Sequence, residues 1–500
     1  MAKLRHNVVA NFIGQGWLAL VSVLFAPVYI RMLGMEAYAL IGIYLSMQAL
    51  LFVLDLGLSA TLTRELARHA AASHDTRSAH DVFHTIERLF LPLCAIITTI
   101  AVFASDAIAS KWLQPVALDH SQVVTAMTLI GLAIAAQWPS AFYAGGLVGL
   151  ERQVKLNAAS IIFATLRWAA VVPIMWLTKP SIEVFLTWQI VVSVLQSLLM
   201  RRLLLQALPG HNRKPRFDRD FLRSVRGFTL GLFGIAFVSF VLVQIDRIVL
   251  SHVLPLDKFG HYVLAATAAG LLSRSVYPFF TALYPRYSRL VASGDRAKLS
   301  RLYRVSNSLM ASLGGALAAM TCVFSYDILR LWTSNPILAT ETAPVLSLLA
   351  AGMLLSGLMS LLYALQLAHG WIRPTLWLNT IYAIAMVPAT FWMAQRHGMV
   401  GAASCWLGVN LFSFVFVVPL LHHRLMPTAT YGWYWDVLPP VVAAFLVALV
   451  ARVLITVPTT IVAAILCLAC VSALSLAASV LASLATQRLS LSNVFRTIDG

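Results

Sequence analysis

The sequence predicts an all-α polytopic membrane protein with about 14 transmembrane helices. Three observations predict it. The 500-residue chain is 60% hydrophobic and only 11% charged, with a mean hydropathy of +0.82, whereas soluble domains carry about 25% charged residues. Apolar segments long enough to cross ~30 Å of hydrocarbon recur along its whole length. The Lys and Arg residues between those segments fall mostly on alternate connections, as the positive-inside rule requires.

The segments lie at residues 8–30, 37–60, 88–109, 123–149, 156–178, 182–205, 227–253, 259–284, 305–329, 340–367, 373–394, 400–421, 437–457 and 459–485. The first follows Lys3 and Arg5, like the start of a signal peptide. It is longer than a signal's apolar core, and Pro27, Tyr29 and Arg31 follow it instead of a small-residue cleavage site. It reads as a first span that doubles as an uncleaved signal anchor. With the N-terminus placed in the cytoplasm, 26 of the 36 basic residues fall on that side and 6 on the other. Both termini are therefore expected in the cytoplasm. The net charge of +17 is then mostly topology, scattered over short juxtamembrane loops where it can meet anionic lipid headgroups, and no nucleic-acid partner is implied.

Inside the spans, charge is expensive. The second span carries Asp55 and ends in Arg64, Glu65 and Arg68. The fifth carries Arg167 close to its middle, the seventh the adjacent pair Asp246 and Arg247, the eighth Arg274, and the thirteenth Arg452. Polar residues at helical spacing (Asn7, Asn11, Gln15 and Ser22 on the first span; Gln244, Arg247 and Ser251 on the seventh) mark two candidate cavity-lining faces, or interhelical hydrogen bonds. Trp138, Trp168, Trp188 and Tyr143 are candidates for stacking on sugar rings or for interfacial belts. The five cysteines sit in apolar runs, and Cys467-x-x-Cys470 has no second pair or His beside it; small packing residues are the expected role. Gly-rich phosphate loops, zinc spacings and nucleophile elbows are absent, so no enzyme, cofactor or metal is expected.

The most polar stretch, 206–226, divides the chain. A shift of 221 residues aligns Leu33 with Leu254, Glu36 with Asp257, Tyr38 with Phe259, Ala39 with Gly260 and Arg68 with Arg289. This weak repeat predicts an N-terminal six-helix lobe (1–205), a basic cytoplasmic linker (206–226), a second six-helix lobe (227–421) and two further helices within 437–485.

Residues 27–68, PVYIRMLGMEAYALIGIYLSMQALLFVLDLGLSATLTRELAR, resemble the second-span signature of Wzx-type oligosaccharide flippases, within the multidrug/oligosaccharidyl-lipid/polysaccharide exporter superfamily. QIDRIVLSHVLPLDKFGHY (244–262) and LYPRYSRLVASGDRAKLSRLYR (283–304) resemble the matching elements of the second half. Ala39 departs from the family's usual Gly. The resemblance implies two lobes in a V around a central cavity. It implies an inner-membrane protein that moves an undecaprenyl-diphosphate-linked oligosaccharide from the cytoplasmic to the periplasmic leaflet for O-antigen, capsule or exopolysaccharide synthesis. H⁺ or Na⁺ as coupling ion, and a polysaccharide polymerase and chain-length regulator as partners, come with it.

Such cargo calls for cations at membrane depth, because guanidinium binds phosphate with a planar fork and keeps its charge. Arg167, Arg274, Arg247, Asp246, Gln15, Asn11 and Arg64 are the substrate-binding candidates, and Asp55 and Asp246 the ion-coupling candidates. Each has a plainer reading: a pairing partner on a neighbouring helix for the intramembrane charges, and topology for Arg64. Snorkelling or packing is the expected role of Arg452. A peptidoglycan-precursor flippase and a cation-coupled drug antiporter are the competing functions; the antiporter would favour acids over cations in its spans. A glycan-polymerising enzyme would need a large periplasmic loop, and the longest, about 106–122, is short.

Overall fold

The computed structural model describes residues 16–17, 20–21, 23–55, 57–71, 79–208, 217–371, 373–426 and 430–487. Among them the chain is helical throughout. In order the helices are α1 (Val23–Leu33), α2 (Met35–Leu54), α3 (Leu58–Ala71), α4 (Ala79–Lys111), α5 (His120–Gly149), α6 (Gln153–Trp168), α7 (Val171–Leu177), α8 (Ile182–Ala207), α9 (Arg219–Val253), α10 (Leu256–Ser293), α11 (Arg296–Val323), α12 (Ser325–Thr333), α13 (Pro336–Ala368), α14 (Arg373–Phe412), α15 (Val418–Leu425), α16 (Thr430–Leu454) and α17 (Ile461–Gln487). Eleven of the described helical stretches are long and apolar enough to cross a membrane. One of these, Arg373–Leu425, is 53 residues long and breaks at Gly398, whose φ of 57° no helix uses. Shorter apolar helices at Val23–Leu33 and Met35–Leu51 precede them. Each predicted segment thus has its helix among the described residues, and the first is described only over its later part.

The second segment is not one helix. α2 stops at Leu54, the chain turns through Gly57 at φ 76°, and α3 starts at Leu58. The Asp55 carboxylate takes the α3 amide of Ser59 at 2.9 Å and its hydroxyl at 2.6 Å, the arrangement of an N-cap. A short acidic side chain followed by a positive-φ glycine ends one helix and starts another. The residue expected inside a span is therefore at a joint between helices. In the second half, α10 starts at Leu256, the position that the 221-residue shift gives for the start of α2 at Met35, but α10 runs on unbroken through Pro278.

The chain divides into two compact units, 1–260 and 261–500. In the first, α5 is the central helix, packed against α2, α3, α4, α6 and α8. Its Gly145 and Gly149 let α3 come close: a Cβ on Gly149 would stand 2.5 Å from the Thr63 carbonyl oxygen, and the Thr63 hydroxyl donates to the Gly145 carbonyl at 2.7 Å. Small residues four apart serve this purpose in membranes, where close backbone approach replaces the hydrophobic drive. The segment after α4 is pinned by Glu36 of α2, whose carboxylate accepts the amides of Val116, Ala117 and Leu118 at 2.8–2.9 Å.

In the second unit α11 is central and packs on α13, α16 and α17. Its core is aromatic around Tyr287, Tyr303 and Trp433. Polar contacts fasten the last two helices to it: Trp433 donates to the Asn307 amide oxygen at 3.0 Å, Ser308 and Ser483 share a 2.6 Å bond, and Gln487 donates to the Arg304 carbonyl at 2.9 Å.

Candidate functional site: a buried guanidinium without an acid

Arg167 lies in the last turn of α6, 5% exposed. Pro173, in the first turns of α7, has no N–H to offer back to the preceding turn, and α6 ends at Trp168. The carbonyls released there find side chains. Trp188 donates to Leu166 at 2.8 Å, Gln189 to Arg167 at 3.0 Å, and the Tyr29 hydroxyl to Trp168. A helix end rich in carbonyls is a favourable place for a cation. Pro139 acts similarly on α5, where the Ala135 carbonyl takes the Cys94 thiol at 3.4 Å and the Ala136 carbonyl the Ser197 hydroxyl at 2.7 Å.

The Arg167 guanidinium is held by neutral groups from three other helices. Its Nη1 donates to the Tyr44 hydroxyl of α2 at 2.7 Å and to Gln137 Oε1 of α5 at 2.9 Å, and its Nη2 donates to Gln196 Oε1 of α8 at 2.9 Å. Gln48 Nε2 and the Tyr44 hydroxyl also donate to Gln137 Oε1, at 2.7 and 3.1 Å. Among the described residues no carboxylate pairs with Arg167. A buried ion is normally paired, and three buried acids of the chain show it. Arg201 holds Glu87 at 2.8 Å, Arg304 grips both oxygens of Asp436 at 2.9 Å, and Arg452 meets Asp327 at 2.6 Å.

Among the described residues of the first unit, no other expected site residue joins this cluster. Arg247 and Asp246 are half-buried on α9, and the Arg247 backbone amide donates to its neighbour's carboxylate at 2.8 Å. Arg274 is exposed on α10, in the second unit, with no acceptor among the described residues. Arg64 pairs with Glu65 at 2.6 Å. Asn11 and Gln15 lie outside the described residues. Asp55 is engaged by Ser59, as described above. The Arg452–Asp327 pair is the packing contact expected of Arg452. Trp138, Trp168 and Tyr143 are buried in the first unit, and Tyr143 donates to Glu87 at 2.9 Å, so none of these three presents a face for stacking. Sequence reasoning missed Tyr44, Gln48, Gln137 and Gln196, which surround Arg167. An amide carries no charge to stand out.

Comparison with known proteins decides the family. A model of the polysaccharide biosynthesis protein family matches residues 4–291. The chain belongs to that family. It is 22% identical over 411 residues to a protein of Shigella flexneri named as a candidate O-antigen transporter, a match spanning 80% of this chain and 93% of that one. Among solved structures it resembles an inward-facing multidrug-resistance transporter of the MATE family and MOP superfamily (TM-score 0.68, 16% identity, 83% of this chain and 96% of that one). It also resembles the lipid II flippase MurJ in an inward closed conformation (TM-score 0.66, 13% identity, 94% and 97%). The fold of this family member is therefore that of the MATE and MurJ transporters, and the family and its neighbours are transporters, not enzymes.

Proposed function

We propose that the protein is a flippase that carries an undecaprenyl-diphosphate-linked oligosaccharide repeat unit from the cytoplasmic to the periplasmic leaflet of the bacterial inner membrane, for synthesis of a surface polysaccharide. Both termini are cytoplasmic, and transport proceeds by alternating access through a cationic cavity. The observation that carries this reading is Arg167: a buried guanidinium at membrane depth whose charge no acid of the described chain cancels. Insertion scales put such a group at about 2.5–3.5 kcal/mol, a standing cost that an anionic cargo would offset. Arg274, Arg247, Gln15, Asn11 and Arg64 are kept as further candidates for contact with the anionic cargo. Asp55 and Asp246 are the candidates for taking a coupling H⁺ or Na⁺. The polymerase and chain-length regulator act on the delivered unit.

The test is the sidedness of the lipid-linked repeat unit in cells depleted of the protein, with wild type or Arg167→Ala added back. Accumulation on the cytoplasmic face, relieved by wild type alone, is the expected result. Unchanged sidedness on depletion sinks the flippase reading. A second reading, flipping of a peptidoglycan precursor, draws on the likeness to MurJ, which extends over 94% of the chain. Rescue of cells lacking their peptidoglycan-precursor flippase would decide for it.

A further inference from the structure

The groups around Arg167 have a hydrogen-bond polarity that says what kind of ligand fits them. Gln137 Oε1 receives three donors: Arg167 Nη1, Gln48 Nε2 and the Tyr44 hydroxyl. An amide oxygen has two lone pairs, so this acceptor is fully subscribed. Gln196 Oε1 is turned to Arg167 Nη2, and the Tyr44 oxygen, which donates to Gln137, already accepts Arg167 Nη1. On the other side of the ledger stand unused donors. The Nε–H of Arg167 and the amide NH₂ groups of Gln137 and Gln196 meet no acceptor among the described residues, and both glutamines are only half-buried. A sugar hydroxyl both gives and takes hydrogen bonds and would find few acceptors here. A group with oxygen acceptors only, and negative charge, matches the centre.

The identity of the hub residue sharpens this. A glutamate at position 137 would have the same shape and would neutralise Arg167 with an ion pair, as Glu87, Asp436 and Asp327 neutralise their arginines. Glutamine fixes the same fork while leaving its charge unspent. We infer that Gln137 and Gln196 are positioning residues of an oxyanion site centred on Arg167: their oxygens aim the guanidinium, and their NH₂ groups complete the donor set for a phosphate or carboxylate. This rests on the flippase reading for its biological setting. Two sources supply such an oxyanion: the diphosphate of the lipid carrier and the carboxylate of an acidic sugar.

The test uses the full-length protein in lipid nanodiscs, with inorganic pyrophosphate, glucuronate and glucose as probes and ligand-dependent thermal stabilisation as readout. Wild type is expected to be stabilised by an oxyanion and not by glucose. Stabilisation by pyrophosphate assigns the oxyanion to the lipid diphosphate, and stabilisation by glucuronate alone assigns it to the sugar. Gln137→Glu is expected to raise the melting temperature without ligand and to weaken oxyanion binding about tenfold or more. Gln196→Glu repeats the neutralisation from α8 should the first variant not fold. Wild type that responds to neither anion, or Glu variants that bind the anion as well as wild type, overturns the inference and makes Arg167 a packing residue. The two readings also fail separately. Glu variants that flip the lipid-linked unit at the wild-type rate remove the oxyanion site and leave the flippase. Unchanged leaflet sidedness on depletion removes the flippase and leaves probe binding intact.

Discussion

Arg167 and Arg304 solve opposite problems. At Arg304 the buried partner is the acid: Asp436 is fully enclosed, and the guanidinium that grips it is 47% exposed. Arg201–Glu87 and Arg452–Asp327 follow the same plan, with acids 6% exposed and arginines 41–43% exposed. At Arg167 the cation is the buried group, and among the described residues no acid accompanies it. Paired sites keep helices in register and leave no charge for anything else. The unpaired site is held by three neutral side chains, Tyr44, Gln137 and Gln196, and keeps its charge available. The lesson is that in an apolar chain the partners of a buried Arg, more than its presence, separate a packing residue from a binding residue.

The largest way to break this comparison is at the paired sites. Arg304→Ala strands a carboxylate with no exposed surface, and a loss of about 3–5 kcal/mol is expected, read as a fall in the thermal midpoint of the purified protein. A midpoint within a degree of wild type would mean that the pair is decorative. Next comes Arg167→Met, which removes a buried cation while keeping much of its bulk. Its loss of stability is expected to stay within about 1–2 kcal/mol, the cost of the unmatched glutamine oxygens, while leaflet translocation falls at least tenfold. A variant that unfolds and still transports when rescued by low temperature would reverse the assignment. The double replacement Arg452→Leu and Asp327→Leu is expected to be close to neutral, within about 1 kcal/mol, since a pair can often be exchanged for apolar packing. Each single replacement should cost more than the double, and additive behaviour in a double-mutant cycle would refute the coupling. The smallest effect is expected at the joint between α2 and α3, where Asp55→Ala removes a cap worth about 1 kcal/mol. If transport in Asp55→Asn lost its dependence on the proton or Na⁺ gradient while stability held, Asp55 would be a coupling residue after all.

Most of the helical plan was legible because hydropathy and the Lys/Arg bias act on every span independently. Arg167 was legible for the same reason: one charge in an apolar run stands out. Its environment was not. Tyr44, Gln137 and Gln196 reach it across 123, 30 and 29 residues of sequence, and nothing local to an amide tells whether it meets a cation or lipid. Asp436 escaped notice because its partner is 132 residues away, and its place at a predicted span's edge made it look like a loop residue. Asp55 was legible as a charge, and the helix joint it caps was not. The apolar run continues through it, and hydropathy averages over the Asp-Leu-Gly step that backbone geometry uses to end one helix and begin the next.

The serine and tryptophan contacts that tie α16 and α17 to α11 have a practical consequence for anyone mapping this protein with reporter fusions. A chain truncated after residue 426 would leave Asn307, Ser308 and Arg304 facing lipid tails where Trp433, Ser483 and Asp436 belong. A reporter fused there would sample a chain whose central α11 lacks its cover, and full-length proteins carrying reporters inserted into loops are the sound way to assign the cytoplasmic and periplasmic faces.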